Sequence, residues 1–111
     1  MNETDLTRPR DMLDAVNKVL EFASGRSRSD VHQDDLLAFA LVHAVQIIGE
    51  AARLVSESTQ AQLADIPWAE IVGMRHKLVH DYFSIDRDIV WDVVEADLPP
   101  LKQQLEAILG D

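Results

Sequence analysis

Glycine and proline are scarce in this chain: four of each in 111 residues, at 25, 49, 73 and 110 and at 9, 67, 99 and 100. These are the residues that most readily end regular backbone, so long stretches are left free to propagate helix. Within those stretches the apolar residues recur at helical spacing rather than alternating. A first helix is expected after Thr7 as N-cap, with Pro9 in its first turn and Leu13, Val16, Val19, Leu20 and Ala23 along one stripe. Gly25 ends it, and residues 25–30 read as a polar loop.

The stretch from Val31 to Ser56 sets Leu37, Ala40, Leu41, Ala44, Ile48, Ala51 and Val55 on one side, and Phe39, Val42 and Ile47 broaden that surface. A helix apolar over so much of its circumference is covered by more than one neighbour, a second subunit being one candidate. Residues 57–66 read as a connection. Pro67 opens a third helix, whose apolar contacts are Trp68, Ile71, Val72 and Leu78 and which runs toward Asp81. Asp86 is the N-cap of a fourth, although Ile89, Val90, Val93 and Val94 would also tolerate a short strand. Pro99 and Pro100 break or kink the chain before a final helix of Leu101, Leu105, Ile108 and Leu109, closed by Gly110. The expected fold is an all-α bundle of four or five helices, one domain over residues 1–111.

Cysteine is absent, which excludes disulfide frameworks, thiolate metal sites and cysteine nucleophiles together. Met1 to Arg10 is polar, and no stretch approaches the roughly 18 consecutive apolar residues of a membrane span, so a cytoplasmic protein is expected. Ten Lys and Arg against twenty Asp and Glu give a net charge of −10. The field of the whole molecule repels nucleic acid, and a phosphate site must be a local basic patch.

One segment meets that requirement. Met74 to Phe83 gathers Arg75, His76, Lys77 and His80, with the only tyrosine, Tyr82, beside them. Acid–base capacity and phosphate-binding capacity therefore coincide. At about 100° per residue, His76 and His80 share a helix face while Arg75 and His80 stand about 140° apart. Arg75 and His80 can meet only where the helix frays near His80 or where two chains pair. The alternative is that Arg75, Lys77 and Asp81 are solvated charges and that His80 and Tyr82 cover a helix C-terminus, where a cationic histidine is favourable.

Arg75, His80 and Tyr82 stand in the spacing R-x4-H-x-Y. Around them lie Ile48-Gly49-Glu50-Ala51-Ala52, Ile66-Pro67-Trp68, Ile71, Gly73-Met74-Arg75, Ile85-Asp86, Val90-Trp91 and Leu98-Pro99-Pro100-Leu101. With these the chain resembles the HEPN superfamily, specifically its HepT-like toxin branch. The resemblance implies a HEPN-type bundle that pairs as a homodimer and sets two R-x4-H motifs in a cleft. It implies a metal-independent endoribonuclease without cofactor, the toxin of a toxin–antitoxin pair. His80 would serve as general base on the ribose 2′-hydroxyl or acid on the leaving oxygen, and Arg75 would hold the scissile phosphate. The antitoxin implied is a minimal nucleotidyltransferase that transfers AMP to the motif tyrosine, here Tyr82, and joins the toxin in a hetero-oligomer.

His76 departs from the small polar residue common after the motif arginine, which leaves three roles for it: RNA positioning, structure, or acid–base partnership with His80. Lys77 is a supporting cation. The His76, His80 and Asp81 spacing also suits a helical metal site, although a further ligand is lacking. Glu50 and His43 share a helix face, which leaves two readings: Glu50 approaches the cleft and orients Arg75 or a motif histidine, or the two are a buried hydrogen-bonded pair or plain surface groups. Trp68 and Trp91 read as core residues rather than base-stacking platforms, and Arg26, Arg28 and Arg53 as solvated charges. The alternative function is a non-catalytic HEPN module that binds nucleotide or partners a nucleotidyltransferase.

Overall fold

Capping chemistry decides where the helices start. In the computed structural model, which describes residues 1–81 and 84–110, α1 (Thr7–Ala23) buries Met12, Leu13, Ala15, Val16, Val19 and Ala23. Thr7 lies inside the helix, and the N-cap position is held by Leu6 without a side-chain bond. Gly25 terminates α1 at φ +72°, a conformation in which a Cβ would be strained.

The segment expected as a polar loop is partly helical, because Ser27 and Asp30 form a capping box. The Ser27 N–H donates to Asp30 Oδ2 at 2.8 Å and the Asp30 N–H to Ser27 Oγ at 3.3 Å, starting α2 (Arg28–Gln33). Asp34 then turns extended and accepts from the Leu37 N–H at 3.1 Å. That cap splits the expected 31–56 helix and begins α3 (Asp35–Arg53). Among the described residues α3 alone has the length and hydropathy of a membrane span. Its Leu37, Leu41, Val45, Ile48 and Ala52 are buried in the bundle, where it packs on α1 and on most of the helices that follow.

The 57–66 connection contains α4 (Glu57–Gln62), capped by Ser56. The third expected helix is two short ones, α5 (Trp68–Val72) and α6 (Met74–Leu78), meeting at Gly73. At Val79 the chain leaves helical geometry. Strands β1 (Val79–Asp81) and β2 (Ser84–Ile85) pair antiparallel, Val79 opposite Ile85, and the Asp86 N–H donates to the Leu78 carbonyl at 2.7 Å. Strand structure thus falls on 79–81 and 84–85, whereas 89–94 is helical.

Asp86 caps α7 (Arg87–Asp92) as expected, accepting from the Ile89 N–H at 3.1 Å. Pro99 and Pro100 do not break the chain. They withhold the N–H groups that Glu95 and Ala96 would receive in α register, and the helix widens to a π turn over Val93–Asp97 before continuing as α8 (Leu98–Leu109). The architecture is all-α with one small hairpin. The buried residues of α1, α3, α6, α7 and α8 form one core, against which Trp68 and Trp91 pack as partly buried side chains. Arg28 reaches from α2 to Asp88 at 3.1 Å and Asp92 at 2.7 Å on α7, and Arg26 pairs with Asp34 at 2.9 Å.

Candidate functional site

α6 is short, and its rotation is fixed by Met74 and Leu78, which are one turn apart and both buried. The three basic residues between them are thereby divided between two sides. Arg75 and His76 turn toward α3, where they line a pocket of about 170 Å³ with Gln46, Gly49, Glu50 and Val72. Lys77 faces a separate cavity of about 290 Å³ whose walls include Asp65, Glu70 and Asp97.

Gly49 explains how α3 approaches so closely. A Cβ built there would lie 3.2 Å from the Ile71 carbonyl oxygen and 3.4 Å from that of Val72. With only hydrogen at this position, the end of α5 presses onto α3, and Gln46 and Glu50 flank the contact one turn apart. Arg75 completes the pocket with its Nε buried and without a hydrogen-bond partner among the described residues. An unsatisfied buried donor costs about 1–3 kcal/mol.

Glu50 lines this pocket, and its carboxylate accepts from Arg53 Nη2 at 3.1 Å. Arg53 is therefore paired. His43 lies on the same side of α3 as Glu50, and both line a larger groove of about 720 Å³ between α1 and α3. Phe22, Ile47 and Leu54 stand exposed along that groove, which shares Gln46 and Glu50 with the Arg75 pocket.

His80 is placed elsewhere. The helix ends at Leu78, so His80 sits on β1 with its side chain 62% exposed and Nε2 3.7 Å from Asp86 Oδ2. It does not line the Arg75 pocket. The shared helix face for His76 and His80 is not formed, and this removes both the acid–base pair and the helical metal site that depended on it. Among the described residues no three His, Asp or Glu side chains are grouped to hold an ion. Tyr82 lies outside the described residues. Gln46 was not singled out by the sequence reading; its signal is a polar residue one turn before Glu50 and in helical spacing with His43.

The family model described as Ribonuclease HepT-like matches residues 12–108. The chain is similar to the "Probable ribonuclease HepT" of Thermococcus cleftensis, at 34% identity over 88% of this chain and 89% of that protein. It is also similar to "Putative RNase MJ1380" of Methanocaldococcus jannaschii, at 33% identity over 88% of this chain and 90% of the relative. No solved structure gives a significant match.

Proposed function

The chain belongs to the HepT-like ribonuclease family, and from that premise we propose that it is a metal-independent endoribonuclease, the toxin of a toxin–antitoxin pair. The observation that carries the reading is Arg75, whose buried Nε lacks a partner among the described residues at a pocket open to solvent. A guanidinium so placed is suited to a phosphate oxygen and to the charge that develops on it during cleavage.

In the proposed reaction the ribose 2′-oxygen attacks phosphorus and the bond to the 5′-oxygen breaks. His80 takes the 2′-hydroxyl proton or returns one to the leaving oxygen, and its exposure leaves it accessible to RNA. The products are a 2′,3′-cyclic phosphate and a free 5′-hydroxyl. Because His80 and Arg75 of one chain do not share a pocket, the working cleft is formed by a homodimer. A second copy of this chain occupies the α1–α3 groove, where Phe39 at 56% and Leu36 at 80% exposure stand beside it on α3. Such a face is costly to leave in water, and it adjoins the Arg75 pocket.

Tyr82, two residues beyond His80 in the sequence, is the proposed target of an adenylylating minimal nucleotidyltransferase antitoxin in the cytoplasm. The added AMP brings bulk and negative charge to the cleft, which repels an RNA phosphate. The antitoxin forms a hetero-oligomer with the dimer.

The test is cleavage of a mixed RNA pool by antitoxin-free protein in chelator, with the ends of the products determined. Arg75→Ala and His80→Ala are each expected to lower the rate by about 10²-fold or more, with cyclic-phosphate ends in the wild type. Equal background in all three proteins, with Tyr82 unmodified by mass spectrometry, sinks the nuclease and leaves the nucleotide-binding module.

A further inference from the structure

The pocket beside Arg75 has more in it than phosphate binding requires. Three of its six lining residues come from one strip of α3, namely Gln46, Gly49 and Glu50, and a phosphate needs neither an amide nor a carboxylate. A carboxylate facing a phosphate is repulsive, so Glu50 marks this wall as one that meets hydrogen-bond donors. At about 170 Å³ the cavity is smaller than the sites that take drug-sized ligands, and suits a single ring system.

The wall chemistry is that of base-edge recognition. An amide side chain presents a donor and an acceptor side by side and pairs with the exocyclic amine and adjacent ring nitrogen of adenine. Glu50 holds Arg53 through Oε2, which leaves its other oxygen able to receive a second amine hydrogen. Val72, 37% exposed, supplies apolar surface for the base plane. Arg75 stands at the same pocket, so the base read there belongs to a nucleotide next to the phosphate that Arg75 holds. Uracil has a single N–H on its pairing edge and no exocyclic amine, so once Gln46 takes that N–H it leaves Glu50 without a donor.

We propose that the Gln46, Gly49, Glu50 and Val72 pocket is a nucleobase subsite for an unpaired adenine adjoining the scissile phosphate, with Gln46 as its specificity-determining residue. The proposal rests on the ribonuclease reading of Arg75 and adds to it the base that flanks the cut.

Two measurements test it. In the first, cut sites in a random single-stranded RNA pool are sequenced for wild type, Gln46→Ala and Arg75→Ala. Wild type is expected to favour adenine over uracil at one flanking position by about tenfold, in line with the 1–3 kcal/mol of a bidentate base contact. Gln46→Ala is expected to cut more slowly with that preference collapsed toward one, and Arg75→Ala to lose cutting. A base profile unchanged in Gln46→Ala overturns the subsite while leaving the nuclease intact. The second measures binding of adenosine and uridine monophosphates and inorganic phosphate to the intact protein by NMR titration. An adenosine preference that Gln46→Ala erases upholds the subsite even where wild type cuts nothing, whereas equal binding of all three overturns it.

Discussion

Alanine at position 49 would place its methyl carbon 3.2 Å from the Ile71 carbonyl, against backbone that cannot swing aside as a side chain does. Gly49→Ala should therefore cost about 1–3 kcal/mol, seen as a lower denaturant midpoint. Cleavage should fall further than stability, because α5 pushed from α3 widens the pocket that holds Arg75. Asp86 has two tasks, capping α7 through the Ile89 N–H and standing 3.7 Å from His80. Asp86→Ala should lose about 1 kcal/mol from the cap. Asp86→Asn, which keeps a capping oxygen, separates that loss from any change in the pH profile of cleavage. At this scale much was legible: Arg75, His76 and Glu50 were named from the sequence and do line one pocket. Gln46 was not, since a polar residue on a helix does not by itself tell which neighbour it faces.

The elements show where local pattern reading succeeds and where it misleads. Periodicity identified the apolar faces of α1 and α3 but ran straight through Asp34, because a cap in the middle of a pattern costs the pattern nothing. It also ran helix past Leu78, where Val79 and Ile85 pair as a hairpin. That pairing is non-local and lies outside what spacing records. α2 is anchored by buried Val31 and tied to α7 by ion pairs, and the ion pairs carry a pH signature. His32 and Arg28 hold the Asp88 carboxyl below its ordinary value of 3.8, and Arg26 with the Leu37 N–H does the same for Asp34. A depressed folded value means that the stabilisation is fully present above 3.8 and is lost as the pH falls through the folded value. Thermal unfolding followed from neutral into acid should show the midpoint dropping below that point. Asp88→Asn should flatten the acid limb and leave a smaller contribution from Asp34.

For the whole molecule, the exposed stripe of α3 predicts association. Ile47→Asp and Phe39→Asp change residues that are 42% and 56% exposed, so the folded monomer should tolerate them. Sedimentation should give a dimer for wild type and a monomer for the pair of substitutions, with unchanged helical circular dichroism. Cleavage should disappear with the dimer. A wild-type monomer that cleaves RNA would remove the groove from the mechanism.

What the sequence by itself determined is the helical class, the apolar faces of the long helices and the identity of the cation cluster, because periodicity and residue type are properties of the chain alone. Family membership is equally a property of the sequence, and Arg75, His80 and Tyr82 stand in it at fixed spacing. Which of those residues share a cavity was decided by the tertiary structure. Burial of Met74 and Leu78 rotates Arg75 toward α3, the missing Cβ of Gly49 lets α5 close on it, and the end of α6 at Leu78 carries His80 away. Each of these depends on packing between segments distant in sequence, where side-chain volume and backbone pairing outweigh local preference.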